Sequence, residues 1–308
     1  MSIPEPLQVL TTIRDFVRWG SSEFLRNELS FGHGFVDALD EARYLVLHSL
    51  SLPYDWPDEY FDAALTLSER KQVIDILQLR VDSRQPAAYL TRESWFCGLR
   101  FYVDERVLVP RSPIAELISG HFEPWVDSHR VARILDLCTG SGCIAIAAKY
   151  QFPDAEVCAS DISSDALEVA AINLEQHELG DCIKLYESDL FDSIPLQEFD
   201  VIVSNPPYVD AEDMASLSAE FKREPELGLR AGDDGLLLVD RILARAGEYL
   251  SAHGVLFVEV GNSQPALEQK YDFLPMTWID FEYGGSGVCC IQAKDLKRQQ
   301  AAITALAS

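Results

Sequence analysis

The chain has 308 residues, of which 48% are hydrophobic and 24% are charged, a balance that predicts a soluble globular protein of one large or two moderate domains. Its formal net charge of −25 argues against a long non-specific contact with a phosphate backbone and fits a basic, cationic partner better, or simply solubility. No apolar run approaches the roughly 20 residues of a membrane helix, and the N-terminus shows no signal-peptide pattern, so no membrane contact is expected.

The seven cysteines contain no C-x-x-C pair, so the sequence predicts neither a zinc framework nor a redox motif. Several of them fall in apparent strands, where a free thiol behaves as a small apolar side chain. Free cysteines in this number indicate a reducing compartment. We therefore expect a cytoplasmic protein without a bound metal, and we expect a monomer.

The first part of the chain is predicted to be helical. Apolar residues recur every three or four positions in LQVLTTIRDFVRWGSSEFLRNE, and two more helical segments follow, FVDALDEARYLVLHSLSL and SERKQVIDILQLRVDSR. Ser68 is the predicted cap of the third helix, with Glu69 in its first turn. No strand series precedes Trp95. Residues 1–94 are thus predicted to form a helical domain, either a packing domain or a module that presents a partner.

Residues 95–111, WFCGLRFYVDERVLVPR, predict a short β-hairpin that turns near Gly98 and leads into an extended linker. A helical segment follows, and from Arg133 short apolar strands alternate with helices, which is typical of βαβ units and a parallel sheet. Two final strands are joined around GGSG without a helix between them, in TWIDFEYGGSGVCCIQAKD. This pair predicts one antiparallel strand beside the parallel ones.

The first of these strands runs into a glycine-rich turn, LDLCTGSG, which spans residues 135–142. Glycines at a strand-to-helix turn let a ligand approach the backbone, and the N-terminus of the following helix favours negative charge. A dinucleotide fingerprint would need a third small residue, which Ala145 can supply in some variants. The turn alone therefore leaves the type of nucleotide open.

Three acidic residues at successive strand ends narrow the choice of ligand. Asp136 lies just before the glycine-rich turn, where a carboxylate repels a pyrophosphate but accepts hydrogen bonds from an ammonium group. Asp161 ends the second strand, a position from which an acid holds ribose hydroxyls. Asp189 ends the third, where a carboxylate accepts from an exocyclic amine. Each acid alone is commonly a helix cap, but the ordered set fits S-adenosylmethionine, which has a cation, a ribose and an adenine but no phosphate.

The fourth strand, FDVIV, ends in Ser-Asn-Pro-Pro-Tyr, which has a plain and a catalytic interpretation. Pro206 and Pro207 cannot donate to a sheet ladder, so the plain interpretation is a strand stop followed by a turn. The catalytic interpretation is a rigid cup in which Asn205 and the Pro206 carbonyl accept from a nitrogen while Tyr208 stacks on a planar group. Its position behind three acidic strand ends favours catalysis.

With these motifs the chain resembles the class I S-adenosylmethionine-dependent methyltransferases over about residues 112–293. In that group, Asn-Pro-Pro-Tyr after the fourth strand implies methylation of a planar amide or amino-aromatic nitrogen, as in adenine-N(6) nucleic-acid methyltransferases and protein-glutamine methyltransferases. The implied fold is an α/β, Rossmann-like seven-stranded methyltransferase sheet, mostly parallel with one antiparallel strand. It would occupy residues 112–308, joined by the 95–111 hairpin to the helical domain, which would recognise substrate.

The segment QPAAYLTRESWFCGLRFYVDERVLVPR resembles the protein-glutamine N(5)-methyltransferases, and in particular the branch acting on large-subunit ribosomal protein three. The release-factor branch usually has PRPDTE where this chain has PRSPIA, and Trp in place of Leu190. The resemblance thus implies glutamine methylation of a ribosomal protein, with release factor as the second substrate. The adenine-N(6) alternative stays open, although the acidic charge disfavours it.

The expected roles divide into cofactor binding and substrate contact. The residues expected to bind the cofactor are Asp136, Cys138, Thr139, Gly140, Ser141, Gly142, Asp161, Ile162, Asp189, Leu190 and Asn205. Substrate contacts are expected from Asn205, Pro206, Pro207, Tyr208 and Arg111, of which Asn205, Pro206 and Tyr208 are the expected catalytic residues. The alternatives for Arg111 are a role in orienting the domains and a plain surface position. Glu259, at the end of the fifth strand, faces the same rim or caps the next helix.

Overall fold

A computed structural model describes residues 5–307, which form twelve α-helices and nine β-strands. The helices are α1 (Glu5–Val9), α2 (Ile13–Arg26), α3 (Ala38–Ser49), α4 (Leu67–Ser83), α5 (Ala87–Thr91), α6 (Ile114–Ser119), α7 (Cys143–Gln151), α8 (Ser164–Gln176), α9 (Ala211–Ser216), α10 (Leu237–Tyr249), α11 (Gln264–Lys270) and α12 (Ala293–Leu306). The strands are β1 (Ser94–Phe96), β2 (Leu99–Phe101), β3 (Arg133–Leu137), β4 (Glu156–Asp161), β5 (Ile183–Glu187), β6 (Phe199–Ser204), β7 (Leu250–Glu259), β8 (Thr277–Trp278) and β9 (Val288–Gln292).

The chain divides into two compact units. The helical unit contains the chain up to Ser94 together with a short later piece, Ser218–Arg223. The second unit contains Trp95–Leu217 and the chain from Glu224 onward. The sequence pattern gives no sign of the later piece, because six mostly polar residues between two helices resemble any surface loop.

Capping chemistry sets the helix boundaries of the helical unit. Thr12 and Asp15 form a capping box that starts α2, so the helical pattern beginning at Leu7 is split into α1 and α2. Thr66 and Glu69 form a second capping box that starts α4. The predicted cap at Ser68 is wrong, because the Thr-x-x-Glu spacing satisfies two backbone donors of the helix at once.

A buried charge cluster ties the later piece into the helical unit. Arg80 is fully buried and pairs with Glu41, while its guanidinium also donates to the carbonyl of Ser30 at 3.2 Å. Glu220 is 1% exposed and accepts from Arg84 at 3.0 Å. A buried arginine has to be compensated by such partners, so the cluster fixes the later piece through paired charge.

The second unit is built on a seven-stranded sheet in the order β5-β4-β3-β6-β7-β9-β8. Neighbouring strands are parallel except for β9, which runs antiparallel to both β7 and β8. The predicted fold class is confirmed, including the single antiparallel strand. β1 and β2 form a separate two-stranded sheet where the hairpin was predicted.

Both faces of the sheet are covered by helices, because alternate residues of the central strands are apolar on each face. Ile134, Val157 and Val203 pack into one buried cluster with α6 and α7. Leu135, Cys158 and Ile202 pack into a second cluster with α10 and α12. The sheet is therefore a rigid platform whose strand ends carry the turns described next.

Among residues 5–307, no helix is long and apolar enough to cross a membrane.

Candidate active site

The carboxyl ends of β4, β3, β6 and β7 meet along one edge of the sheet. In the strand register, Leu137 lies beside Ser160 on one side and Ser204 on the other, and Ser204 lies beside Val258. The turns that follow these strands therefore leave the sheet at the same level. In parallel α/β sheets this edge is where ligands bind.

The glycine-rich turn is held in a left-handed conformation. Cys138, Gly140 and Gly142 have φ angles of 59°, 54° and 79°. A Cβ on Gly142 would lie 3.2 Å from the side chain of Ala170, so glycine at 142 permits close packing on α8. A Cβ on Gly140 would meet no atom within 4 Å, so the backbone at Gly140 borders open space.

Asn173 supports this turn from behind, and sequence reasoning missed it. Its side chain is fully buried and donates to the carbonyl of Ser141 at 2.8 Å and to that of Tyr102 at 3.0 Å. Its amide oxygen accepts from the Tyr102 backbone N–H at 2.7 Å. A polar residue on the apolar face of α8 was the sequence signal. The amide joins the turn to the chain that follows the β1–β2 hairpin.

Asp136 is the penultimate residue of β3, just before the glycine-rich turn, and is fully buried. Its Oδ2 accepts from the Thr139 hydroxyl at 2.5 Å and from the Ala145 backbone N–H at 3.1 Å. Within residues 5–307 its Oδ1 has no hydrogen-bond partner. Burial raises the pKa of Asp136 to about 7, against the opposing effect of the two hydrogen bonds. One oxygen thus holds the turn, and the other is a buried acceptor with an unused lone pair.

Asp161 ends β4 and links two turns. Its Oδ2 accepts from the backbone N–H of Gly140 and its Oδ1 from that of Ser163, both at 2.9 Å. Burial raises the pKa of this carboxyl, and the backbone donors act in the opposite direction. The next residue, Ile162, is 52% exposed. Asp161 therefore fixes the open Gly140 peptide while keeping its carboxylate at the edge.

Asp189 is engaged with a residue that the sequence did not single out. Its Oδ2 lies 2.8 Å from Nη2 of Arg241 on α10, and both side chains are partly exposed. Leu190 follows with a φ of 54° and is buried. An arginine on the polar face of α10 is an ordinary surface residue by pattern, so no sequence signal pointed to this pair.

The Asn-Pro-Pro-Tyr turn begins where β6 ends. The Ser204 hydroxyl donates to the Leu137 carbonyl at 2.9 Å and holds the end of β6 against β3. Pro206 and Pro207 are buried, whereas Asn205 is partly exposed. The Asn205 side chain makes no hydrogen bond within the described part of the chain. Its amide oxygen is thus free to accept from a ligand.

Tyr208 is held at its hydroxyl, its ring and its backbone. The hydroxyl donates to Oε1 of Glu259 at 3.0 Å. The ring lies so close to Gly261 that a Cβ there would be 2.4 Å from Cε2. The backbone carbonyl accepts from the Ser263 hydroxyl at 3.0 Å. Tyr208, three residues after Asn205, is therefore a fixed ring rather than a mobile surface side chain.

Glu259 has a second partner in Ser112, whose hydroxyl donates to Oε2 at 2.5 Å. Glu259 is 4% exposed, and its burial raises its pKa against the effect of the two hydroxyl donors. Within residues 5–307, the 3₁₀ turn that follows, Gly261–Ser263, has no side-chain cap. That Glu259 faces the cofactor rim stays a prediction.

Arg111 forms a bidentate ion pair with Glu224, with N–O distances of 2.6 and 2.8 Å. The Glu224 side chain is fully buried and also accepts from the Val109 backbone N–H at 3.0 Å. This geometry gives Arg111 a role in fixing its own segment. A direct contact between Arg111 and substrate stays a prediction. Neither Ser112 nor Glu224 had a sequence signal, because their partners are more than 100 residues away.

Comparison with known proteins agrees with this architecture. A family model described as "Methyltransferase small domain" matches residues 121–232. A protein named ribosomal protein uL3 glutamine methyltransferase from Francisella tularensis is 46% identical over 93% of this chain and 92% of its own length. One of the same name from Xanthomonas campestris is 48% identical over 97% of both chains.

Among solved structures, a methyltransferase from Pyrococcus furiosus is 18% identical with a TM-score of 0.47, covering 64% of this chain and 89% of that one. Identity at the level of the two curated relatives, over nearly the whole length of each, establishes the family. The chain belongs to the ribosomal protein uL3 glutamine methyltransferases, and it is a methyltransferase enzyme.

Proposed function

We propose that this chain transfers a methyl group from S-adenosylmethionine to the side-chain amide nitrogen of a glutamine in ribosomal protein uL3. The observation that carries the proposal is the free amide of Asn205 next to the fixed ring of Tyr208, on the same sheet edge as the open Gly140 backbone. The names of the two relatives support uL3 as the substrate.

The residues at this edge fit the cofactor. The unpaired Oδ1 of Asp136 is a buried acceptor for a cationic ammonium group. The open space at Gly140 admits a ligand against the backbone, and Asp161 offers acceptor lone pairs beside it. We propose these residues, with Asp189, Ile162 and Leu190, as the cofactor site. When bound, S-adenosylmethionine supplies an electrophilic methyl group on a sulfonium.

The Asn-Pro-Pro-Tyr turn supplies what an amide nucleophile needs. An amide nitrogen is a weak nucleophile because its lone pair is delocalised into the carbonyl. Methyl transfer would break the carbon–sulfonium bond, release the neutral thioether and place positive charge on the nitrogen. Acceptors fixed beforehand would stabilise that charge. The Asn205 oxygen and the Pro206 carbonyl are the proposed acceptors of its N–H groups. Pro206 and Pro207 stiffen this pair by fixing φ.

Tyr208 is proposed to stack on the planar amide and to exclude water from it. The nitrogen loses one proton after attack, because a methylated, positively charged amide nitrogen is acidic, so no protein base is assigned. Holding the amide in line with the methyl carbon contributes the proximity effect. The chain thereby lowers the barrier chiefly through orientation and fixed acceptors.

The remaining expectations are part of the same proposal. We propose that the helical domain, residues 1–94, recognises the protein substrate and that the 95–111 hairpin joins it to the catalytic domain. A basic ribosomal protein suits a chain with a net charge of −25. The seven free thiols are consistent with a protein of the reducing cytoplasm, which we propose as its location. We also propose that the active form is a monomer.

The direct test incubates the purified protein and labelled S-adenosylmethionine with a lysate from cells that lack it, and separately with purified uL3. We expect one labelled band, uL3, and digestion of that band should place the label on a glutamine side chain. Label on a release factor, or on nucleic acid, would contradict the proposed substrate. A parallel reaction without lysate controls for self-labelling.

A further inference from the structure

We propose that Glu259 and Ser112 are positioning residues for methyl transfer and that they act by fixing the ring of Tyr208. This inference rests on the proposed function, because it assigns a role within the same site. The three side chains are called here the Ser112–Glu259–Tyr208 network. Ser112 directly follows the 95–111 linker, Glu259 ends β7, and Tyr208 lies in the turn after β6.

Both hydroxyls of the network donate to the carboxylate of Glu259. Tyr208 donates to one carboxylate oxygen of Glu259 at 3.0 Å, and Ser112 donates to the other at 2.5 Å. The Ser112 hydroxyl accepts from the Ile114 backbone N–H at 3.1 Å, so its own proton is available to Glu259. A carboxylate accepts at both oxygens, whereas a glutamine amide accepts at only one. The network therefore requires glutamate.

Burial makes this arrangement specific. Glu259 is 4% exposed, so its carboxylate gains little from solvent and depends on these two donors. Arg111 lies in the segment before Ser112 and adds a favourable charge. A buried carboxylate that served only packing would be costly to keep, since an apolar residue of that size would fill the space. Because Glu259 accepts from the hydroxyl of Tyr208, a proposed catalytic residue, it has a role beyond packing.

The edge of the Tyr208 ring packs against the backbone. Gly261 lies against the ring edge, with its hypothetical Cβ at 2.4 Å from Cε2 of Tyr208. Gly287 in turn packs on Gly261, where a Cβ on Gly287 would lie 2.3 Å from the Gly261 carbonyl oxygen. The ring is therefore bounded at its edge by Gly261, which Gly287 backs, and held at its hydroxyl by Glu259. Its orientation is set before substrate arrives.

Ser112 is itself held in place by the neighbouring ion pair. Glu224 accepts from the Val109 backbone and binds Arg111 through both carboxylate oxygens. Two buried glutamates, Glu224 in a loop and Glu259 at the end of β7, thus hold the four residues that end in Ser112. Movement of the linker would reach Tyr208 through Glu259. The position of the ring consequently depends on residues that do not touch substrate.

The test compares Tyr208→Phe, Glu259→Gln and Ser112→Ala with the wild-type enzyme on purified uL3. A displacement of about 1 Å at a reacting centre can cost about 100-fold in rate, so we expect kcat to fall by about 10- to 100-fold in Glu259→Gln. We expect the KM for uL3 and the cofactor Kd to stay within about threefold. Tyr208→Phe keeps the ring and removes one oxygen, so it should fold and show a smaller loss of kcat.

The double variant Ser112→Ala/Tyr208→Phe measures the connection between the ends of the network. If Ser112 acts through Glu259 on the Tyr208 hydroxyl, Ser112→Ala should lower kcat in the wild type but much less in the Tyr208→Phe background. Glu268→Gln and Ser119→Ala are matched surface controls that should leave kcat unchanged. Their side chains lie on α11 and at the end of α6.

Three outcomes would overturn the inference. Wild-type kcat in both Glu259→Gln and Tyr208→Phe would do so, as would fully additive effects of Ser112→Ala and Tyr208→Phe, or a loss confined to thermal stability. These outcomes are distinct from failure of the proposed function. If the wild type labels another protein instead of uL3, the same variants are compared on that protein. If it labels nothing, both proposals fall.

Discussion

Asn205 provides the sharpest prediction for a single residue, because its exposed amide has no partner within residues 5–307. Asn205→Ala removes one of the two proposed acceptors without touching the glycine-rich turn. We expect methyl transfer to fall by at least about 100-fold, the usual cost of removing a fixed electrostatic partner. Cofactor affinity should stay within about tenfold, or ~1.4 kcal/mol. Initial rates with labelled cofactor and calorimetry measure the two quantities.

Asp161→Ala is the matched control and should show the opposite pattern. It removes the acceptor for the Gly140 and Ser163 backbone donors, so cofactor binding should weaken. Unchanged affinity in Asp161→Ala would refute the ribose role. Full activity in Asn205→Ala would refute the catalytic assignment.

Asp136 links the stability of the turn to pH. Its pKa rises from 3.8 to about 7 on folding because the carboxyl is buried, so the folded state binds this proton more tightly than the unfolded state. Linkage then requires its stabilising contribution to be complete below about pH 4 and to be lost as pH rises through about 7. Asp136→Asn should make the decline in the free energy of unfolding over that range shallower.

Denaturant titrations of the wild type and Asp136→Asn at several pH values measure this difference. Other buried carboxyls, such as Glu259, titrate in both proteins and cancel in the comparison. Asp154→Asn, an exposed substitution, should follow the wild-type curve. Parallel curves for the wild type and Asp136→Asn would show that Asp136 titrates normally.

At the scale of elements, the turn between β7 and α11 is limited by the space beside Tyr208. Gly261 has a φ of 48°, and an added Cβ would overlap the tyrosine ring. Gly261→Ala should therefore destabilise the protein by about 1–3 kcal/mol and lower kcat by moving the ring. Denaturant unfolding and rate measurements test both. Gly180→Ala, where a Cβ meets no atom within 4 Å, is the control and should behave as wild type.

The elements also show what the sequence could and could not predict. Apolar runs and turn residues located every strand of the seven-stranded sheet, because a strand buried on both faces leaves a strong local pattern. Helix boundaries were harder to predict, because neighbouring residues compete to cap a helix. Thr66, rather than Ser68, caps α4. Hydrogen-bond partners that are distant in the sequence could not be predicted. Glu259 was noticed only as a strand-end acid, since nothing near it in the chain indicates Ser112.

At the scale of the whole molecule, charge should govern the encounter with substrate. The net charge of −25 attracts a basic protein at long range, and salt screens that attraction. We expect kcat/KM for uL3 to fall by about tenfold between low and high NaCl, while kcat at saturating uL3 changes much less. Steady-state rates across a salt series provide the measurement. An equal fall in both constants would mean that salt acts on the chemistry or the fold.

The piece Ser218–Arg223 means that the helical unit is completed by residues from beyond the catalytic turn. The Phe221 ring packs on His33 with centroids 4.2 Å apart and the ring planes tilted by 41°, and Glu220 joins the Arg80 cluster. A fragment of residues 1–94 should therefore be incomplete, because Arg80 and Arg84 would lack the carboxylate of Glu220. We expect a peptide of residues 217–224 to bind that fragment and raise its Tm, and a peptide carrying Glu220→Ala to fail.

Fragment complementation of this kind has a practical corollary for dissecting the protein. A deletion that stops at residue 94 removes most of the helical unit. It leaves the segment Ser218–Arg223, with Glu220 and Phe221, in the chain of the other unit. Loss of activity in such a truncation cannot be assigned to lost substrate recognition alone. Point substitutions within the helical unit are the cleaner way to separate the contributions of the two units.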